Sequence, residues 1–542
     1  MHIHSKVYLM GEQLKQQTKL RPNYEFLIDW VSGKGERRFT YKQVTEDVYR
    51  LCWALKDFGV KKGDMAALLS YNVIEGFEAV LGGSFKGYVF GCQNPDLPED
   101  WLVTMISDRM AAKIVFFDDE YRDKIKRLMP RLKSVQHYIC LDGPSEDKEI
   151  VSYRELISRY EPKEVGVAMK PDALMGLYMS GGTTGMPKAA MWTNEANYWA
   201  SLYVGQAFEG GPEDTCFCCA PMFWSTALQC CLWSSLLFGT KLVIFKGKML
   251  EPGALELFCE AVGKERIKWG LLPAIWFLET ANWPEEKCKQ YDLSSLVPMV
   301  WGITVPYLVW KTNYERWGGI GPKLYGSCEM GGGFYLSSTS MLKLLKEGRE
   351  APLASYGGYP LGPTVVRLVD GEGNDVAPGE VGELIVKGPG MAHGYMGEPE
   401  RWAKRYKDDW LYTGDMCKMD ESGYFYIEAK KEDIGTCPLD KGGRYVLPYP
   451  IQDAVVGMED VVEASLITVA EPEYKARYRI IVRPKEGVEL SEDKVLEVAS
   501  KFAPDYLIKD VIIRKEPIIK TPTGKISIRA LAEEYGGIIP EE

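Results

Sequence analysis

A chain of 542 residues, 46% hydrophobic and 26% charged, can bury a large core and should divide into at least two domains. Its net charge of −11 excludes a nucleic-acid backbone as the main partner, and no basic stripe interleaves with aromatics. The longest apolar run, Ala227 to Gly239, is broken by Gln229, Ser234 and Ser235, and Met1 to Lys6 lack a signal-peptide core, so a soluble, cytoplasmic protein with no membrane partner is expected.

Thr40-Tyr41-Lys42-Gln43 fits a capping box, and Val44, Val48, Leu51, Leu55 and Phe58 then recur at helical spacing until Gly59. Gly63-Asp64 introduces a strand over Met65 to Leu69, followed by a helix from Glu75 to Lys86 and a strand around Tyr88. Further strands are expected at Lys113–Phe117, Tyr138–Leu141, Leu174–Met179 and Leu242–Phe245. Strands alternating with helices imply a mainly parallel sheet with both faces covered. The thirteen cysteines, an odd number scattered along a large chain, suit reduced thiols. Cys216 and Cys219 have C-x-x-C spacing but no second spaced pair, so this cluster reads as buried core thiols rather than a zinc site. No G-x-S-x-G elbow is present, which argues against a Ser-His-Asp hydrolase.

The run Ser180-Gly181-Gly182-Thr183-Thr184-Gly185-Met186-Pro187-Lys188 follows the apolar strand Leu174–Met179. Its glycines let backbone N–H groups converge on an anion, its hydroxyls add donors, and Lys188 brings a mobile positive charge. Such a loop suits a polyphosphate. A kinase-type phosphate loop fails on spacing, because Met186-Pro187 separates the last glycine from the lysine and no Ser or Thr follows it.

This run resembles the phosphate-binding signature of adenylate-forming enzymes, which include acyl-CoA synthetases, luciferases and peptide-synthetase adenylation domains. Later motifs extend the resemblance over nearly the whole chain. Ala220-Pro221-Met222-Phe223-Trp224 places Trp224 where the family often has a histidine or an aromatic beside the acyl pocket; the plainer reading is a core tryptophan. Val297 to Thr304, with Trp301 and Gly302, looks like the segment flanking adenine and the acyl group, although Ile303 replaces a commonly small residue. Leu324-Tyr325-Gly326-Ser327-Cys328-Glu329 resembles the family's Tyr-Gly-x-Thr-Glu, with Cys328 in place of threonine. Tyr325 would offer a flat ring to adenine, Gly326 would leave room beside it and in the acyl pocket, and Glu329 is a hard oxygen ligand suited to Mg2+. Tyr412-Thr413-Gly414-Asp415 resembles the ribose-binding motif, since one carboxylate can accept from both hydroxyls.

At the hinge the family's Gly-Arg-x-Asp-Asp reads Ala429-Lys430-Lys431-Glu432-Asp433 here. Lys430 stands where arginine would contact ribose or phosphate, Glu432 stands at the pivot, and the loop Gly435 to Lys441 has no counterpart in the pattern. Beyond lie strands at Ala464–Val469 and Tyr478–Val482, a helix capped at Ser491, and Lys520-Thr521-Pro522-Thr523-Gly524-Lys525. Its Thr521-x-x-Gly524-Lys525 part matches the end of the family's Pro-x-Thr-x-x-Gly-Lys signature, whose lysine is catalytic.

The resemblance implies an α/β fold in two domains. Residues 1–430 would form a large N-terminal domain of mainly parallel sheets covered by helices plus a β-rich subdomain, and residues 431–542 a small mobile α+β C-terminal domain. It also implies an activity most like that of a free-standing acyl-CoA or aryl-CoA ligase. A small-molecule carboxylic acid would be activated by ATP with Mg2+ to an acyl-adenylate and then passed to coenzyme A. Ser180, Gly181, Gly182, Thr183, Thr184, Gly185, Lys188, Gly302, Tyr325, Gly326, Ser327, Asp415 and Lys430 would bind the nucleotide, with Lys525 and Glu329 catalytic. Trp224, Trp301 and Gly326 would line an acyl pocket that favours an aromatic or alicyclic acid over a medium-chain fatty acid. Transfer to an acyl-carrier protein in trans is the alternative within the superfamily, and a non-catalytic nucleotide-binding module the alternative outside it. A homodimer is open as an assembly.

Overall fold

The computed structural model describes residues 7–30, 37–145, 149–180, 186–249, 251–301, 305, 307–348, 357–434, 436–442, 445–520 and 526–539. Two parallel sheets carry the first half of the chain. One has seven strands in the order Ile150–Ser152, His137–Cys140, Ile114–Phe117, Met65–Leu69, Val89–Gln93, Leu174–Met179 and Ala189–Thr193, all parallel except the last pair. The other runs Val297–Trp301, Trp269–Pro273, Thr215–Cys218, Lys241–Phe245, Glu25–Trp30 and Arg38–Thr40, with only the last pair antiparallel.

The helix Ile74–Lys86 touches strands of both sheets and is buried on every side from Ile74 to Phe85. This position explains a helix apolar all round instead of striped. Thr40 caps the helix Tyr41–Asp57 as the capping box requires, its hydroxyl accepting from the Gln43 N–H while the Gln43 side chain accepts from the Thr40 N–H.

A third sheet is antiparallel throughout: Lys323–Ser327, Gly331–Leu336, Gly357–Pro360, Phe425–Lys430, Trp410–Met419, Val381–Lys387 and Val365–Val369, with Tyr406–Lys407 added at Trp410–Met419. A fourth, of three strands (Val461–Glu471, Lys475–Pro484, Ile508–Ile513), forms a small α+β unit with the helices Pro448–Val456, Glu492–Ala499 and Ile528–Tyr535. Ser491 caps Glu492–Ala499 through the Lys494 N–H. The expected mixed α/β class with a β-rich region and a C-terminal α+β unit is therefore present. Strand ends in the first half of the chain fall within about one residue of expectation, while the two C-terminal strands run two to three residues longer at each end.

No disulfide joins any of the thirteen cysteines. The strand Thr215–Cys218 and the helical segment Ala227–Trp233 bring Cys216, Cys218, Cys219, Cys230 and Cys231 into the core, where burial pushes the Cys219 and Cys230 thiols well up. Among the described residues no trio of His, Cys, Asp or Glu is arranged to hold a metal ion, and no helix is long and apolar enough to cross a membrane.

Candidate nucleotide site

The buried strand Leu174–Met179 delivers the chain to Ser180, and two hydrogen bonds close the base of the loop that follows. The Ser180 N–H donates to the Lys188 carbonyl at 2.9 Å, and the Lys188 N–H to Ser180 Oγ at 3.1 Å. Gly181, Gly182, Thr183, Thr184 and Gly185 lie outside the described residues. Lys188 Nζ sits 5.6 Å from the centre of the Tyr395 ring. Burial lowers its pKa, and the nearby Glu329 carboxylate only partly offsets this.

Glu329 lies in the turn after Lys323–Ser327 and is 4% exposed. Its Oε1 accepts from the Tyr395 hydroxyl and from Arg405 Nη1 at 3.1 Å, and its N–H donates to Ser327 Oγ at 3.3 Å. Burial is the largest influence and would raise its pKa. The Arg405 charge, the Tyr395 hydroxyl, Ser327 and Lys188 outweigh it and hold the carboxyl below its ordinary value.

Asp415, 3% exposed, receives the Tyr325 hydroxyl on one oxygen and pairs with the Lys430 ammonium on the other. The two paired residues face each other in register across the strands Trp410–Met419 and Phe425–Lys430. Gly414 takes φ +73°, a left-handed conformation that favours glycine, and the Asp415 N–H returns to Thr413 Oγ1 at 3.1 Å. The Tyr325 ring is buried against Phe334.

Gly326 requires a correction. A Cβ built there would lie 1.8 Å from the Gly331 carbonyl oxygen, where the register shifts between Lys323–Ser327 and Gly331–Leu336. Close strand approach demands the glycine, so it does not signal an open acyl pocket, and it carries no information on acid size. Gly326→Ala should lower stability by about 1–3 kcal/mol in urea unfolding, and unchanged stability would contradict this steric reading.

Trp224 is half-buried where the cores of the two parallel sheets meet, edge-on to Phe223. Next to it the Ser225 hydroxyl points to Cys328 Sγ at 3.7 Å. Trp301 ends its strand paired with Pro273, while its side chain and all of Gly302 lie outside the described residues. Glu432 is exposed in the short helix Lys431–Ile434, directly after Lys430, and Lys431 pairs with Glu383 at 2.5 Å. In the loop anticipated at Gly435–Lys441, Gly435 is outside the described residues, and the Lys441 N–H donates to the Tyr506 hydroxyl at 3.0 Å. Lys525 is also outside them, and the flanking residues Lys520 and Ile526 form an antiparallel bridge.

Two residues of the site escaped the sequence reading, Tyr395 and Arg405. Tyr395 bridges to Ala190, on the strand after the phosphate loop, and Arg405 ends the helix Pro399–Arg405. Neither sits in a patterned motif, and only tertiary contact brings them to Glu329. A cleft of about 430 Å3, lined by Lys404, Arg405, Lys407, Tyr412, Gly414 and Lys431 among others, opens beside the guanidinium. The arrangement alternates charge: Lys188, Glu329, Arg405, Asp415, Lys430. It can hold a ligand that carries anions at one end and hydroxyls at the other.

A family model described as AMP-binding enzyme matches residues 14–396. The chain is 27% identical over 508 residues to a long-chain-fatty-acid–CoA ligase of Thermus thermophilus, covering 92% of this chain and 90% of that one. It is 25% identical over 504 residues to an indoleacetate–CoA ligase of Aromatoleum aromaticum, covering 91% and 92%. Among solved structures, the anthranilate CoA ligase AuaEII in complex with anthranoyl-AMP superposes with a TM-score of 0.85 at 19% identity, covering 97% of both chains. ATP-bound MatB of Rhodopseudomonas palustris does so with 0.82 at 20% identity, covering 97% and 99%.

Proposed function

The chain belongs to the family of AMP-binding enzymes, and we propose that it joins a carboxylic acid to coenzyme A at the expense of ATP. The acid attacks the α-phosphate to give an acyl-adenylate and pyrophosphate, and the thiol of coenzyme A then displaces AMP. One observation carries this reading: two buried carboxylates, Glu329 and Asp415, are linked through Arg405, which donates to Glu329 and to the Thr413 carbonyl two residues before Asp415, and Lys188 at the closed base of its loop lies near Glu329.

In this reading the loop holds the β- and γ-phosphates, and Lys188 adds charge there. Asp415 receives the ribose hydroxyls, with Lys430 and Tyr325 orienting its carboxylate. Glu329 fits Mg2+, because a single ionised, buried carboxylate leaves the other positions to phosphate oxygens and water, as that ion prefers. Magnesium would supply charge neutralisation on the phosphates. Lys525 bridges the incoming carboxylate and the α-phosphate. Trp224 and Trp301 would stand beside the acyl group, for which an aromatic or alicyclic acid is the leading candidate, and coenzyme A is the acceptor. The curated relatives named for fatty and aromatic acids support this class without separating its members.

The test is pyrophosphate release across a panel of aryl, alicyclic and medium-chain acids, followed by detection of the CoA thioester. Release with no acid of the panel would overturn the proposal, and adenylate formation without a thioester would favour a carrier-protein acceptor.

Rotation of residues 431–542 between the half-reactions would pivot at Glu432. Glu432→Pro keeps the helical φ of this short helix but resists any change in it. Acyl-adenylate formation should persist within about twofold while thioester formation falls about tenfold or more. Equal loss in both half-reactions, measured separately, would remove the pivot.

A further inference from the structure

Arg405 donates to four acceptors from three separated stretches of chain. Nε donates to the Tyr412 carbonyl at 3.1 Å and Nη2 to the Thr413 carbonyl at 2.6 Å. Nη1 donates to Glu329 Oε1 at 3.1 Å and to the Tyr395 hydroxyl at 3.0 Å. Its side chain is 24% exposed, and Glu329 and Tyr395 keep it firmly charged despite the burial that opposes this. Thr413 in turn fixes the segment of Asp415, two residues on, through the Asp415 N–H and its own hydroxyl bond to the Leu384 carbonyl at 2.8 Å. One planar group therefore ties the carboxylate at one end of the site to the backbone that aims the carboxylate at the other.

We propose that Arg405 is a positioning residue that sets the spacing between Glu329 and Asp415, so that a nucleotide reaching both is held more tightly than a ligand reaching either alone. The proposal rests on the reading of the Glu329 and Asp415 region as the nucleotide site. A ligand with two anchors gains the second contact as an intramolecular event only if both anchors stand at the separation the ligand spans. Preformed spacing removes an ordering cost that binding would otherwise carry. A guanidinium presents its donors in a rigid fork, whereas an ammonium is a point charge that cannot hold a carboxylate and two carbonyls in fixed relation.

The experiment is calorimetric binding of three probes to the full chain: magnesium–ATP, AMP, and magnesium–pyrophosphate. Wild type is compared with Arg405→Lys and Arg405→Met, with thermal melts reporting the fold. Both variants should raise the Kd of magnesium–ATP about tenfold, while AMP and magnesium–pyrophosphate, each reaching one end, stay within about twofold. Arg405→Lys binding magnesium–ATP like wild type would show that charge suffices and overturn the proposal. Equal weakening of AMP and ATP, or of pyrophosphate and ATP, would assign Arg405 to one end and overturn it as well, as would no change in any probe. If Arg405→Met fails to fold, Arg405→Lys carries the same comparison. Wild type binding none of the probes would instead overturn the nucleotide-site reading itself, and the proposal with it.

Discussion

Lys525→Met is expected to slow acyl-adenylate formation by about a hundredfold or more, the scale of deleting a preorganised charge-stabilising donor. The reacting carboxylate and the α-phosphate are both anionic, and in a cleft that excludes water their repulsion is far stronger than in bulk. An ammonium between them offsets that repulsion in the transition state, and methionine preserves the stem while removing the charge. The bridge between Lys520 and Ile526 brings together the two ends of the segment that carries Lys525, and Glu463 binds both Lys520 and the Ile518 N–H at the same place. Thioester formation from synthetic acyl-adenylate should survive, because the proposed role of the lysine is confined to the first half-reaction. Stopped assays of each half-reaction check this, and wild-type rates in both would return Lys525 to the surface.

Asp415→Asn should weaken ATP by about a hundredfold, seen as a raised KM with kcat at saturation falling much less. Two hydrogen bonds from ribose to an ionised acceptor contribute roughly 1.5–3 kcal/mol each, and an amide replaces them with weaker, partly mismatched ones. The proposed contact would be made in ground and transition states alike, so its loss would be a binding loss. A second effect follows within the protein itself, where the variant replaces the carboxylate paired with the Lys430 ammonium by a neutral amide. Melting temperature should fall along with affinity for AMP. A variant with wild-type KM for ATP would place the ribose elsewhere.

Local chemistry made much of this protein readable in its sequence. The capping box at Thr40 and Gln43, the cap at Ser491 and the buried strand Leu174–Met179 are decided within a few residues, and each stands where spacing predicts. The order of strands within each sheet is not decided locally. Glu25–Trp30 lies beside Lys241–Phe245, more than two hundred residues away, and no periodicity announces such a neighbour. The site divides in the same way. Glu329 and Asp415 sit in patterned motifs, but the Tyr325 hydroxyl reaches Asp415 across 90 positions and Arg405 reaches Glu329 across 76. Gly326 shows the opposite failure, since a missing side chain looks alike in sequence whether it makes space for a ligand or lets two strands touch.

The thiols around the strand Thr215–Cys218 bear on how this protein dies. While it is folded, Cys216, Cys218, Cys219, Cys230 and Cys231 are out of solvent, and burial keeps Cys219 and Cys230 in the unreactive protonated form. Unfolding releases them together, within a short stretch of chain, at ordinary thiol reactivity. In air the unfolded chain is then open to non-native disulfides, and each one formed blocks the return to two sheets whose strands come from distant positions. Heat inactivation in air should therefore track the rate of first opening, and a reducing agent should increase the fraction that refolds on cooling.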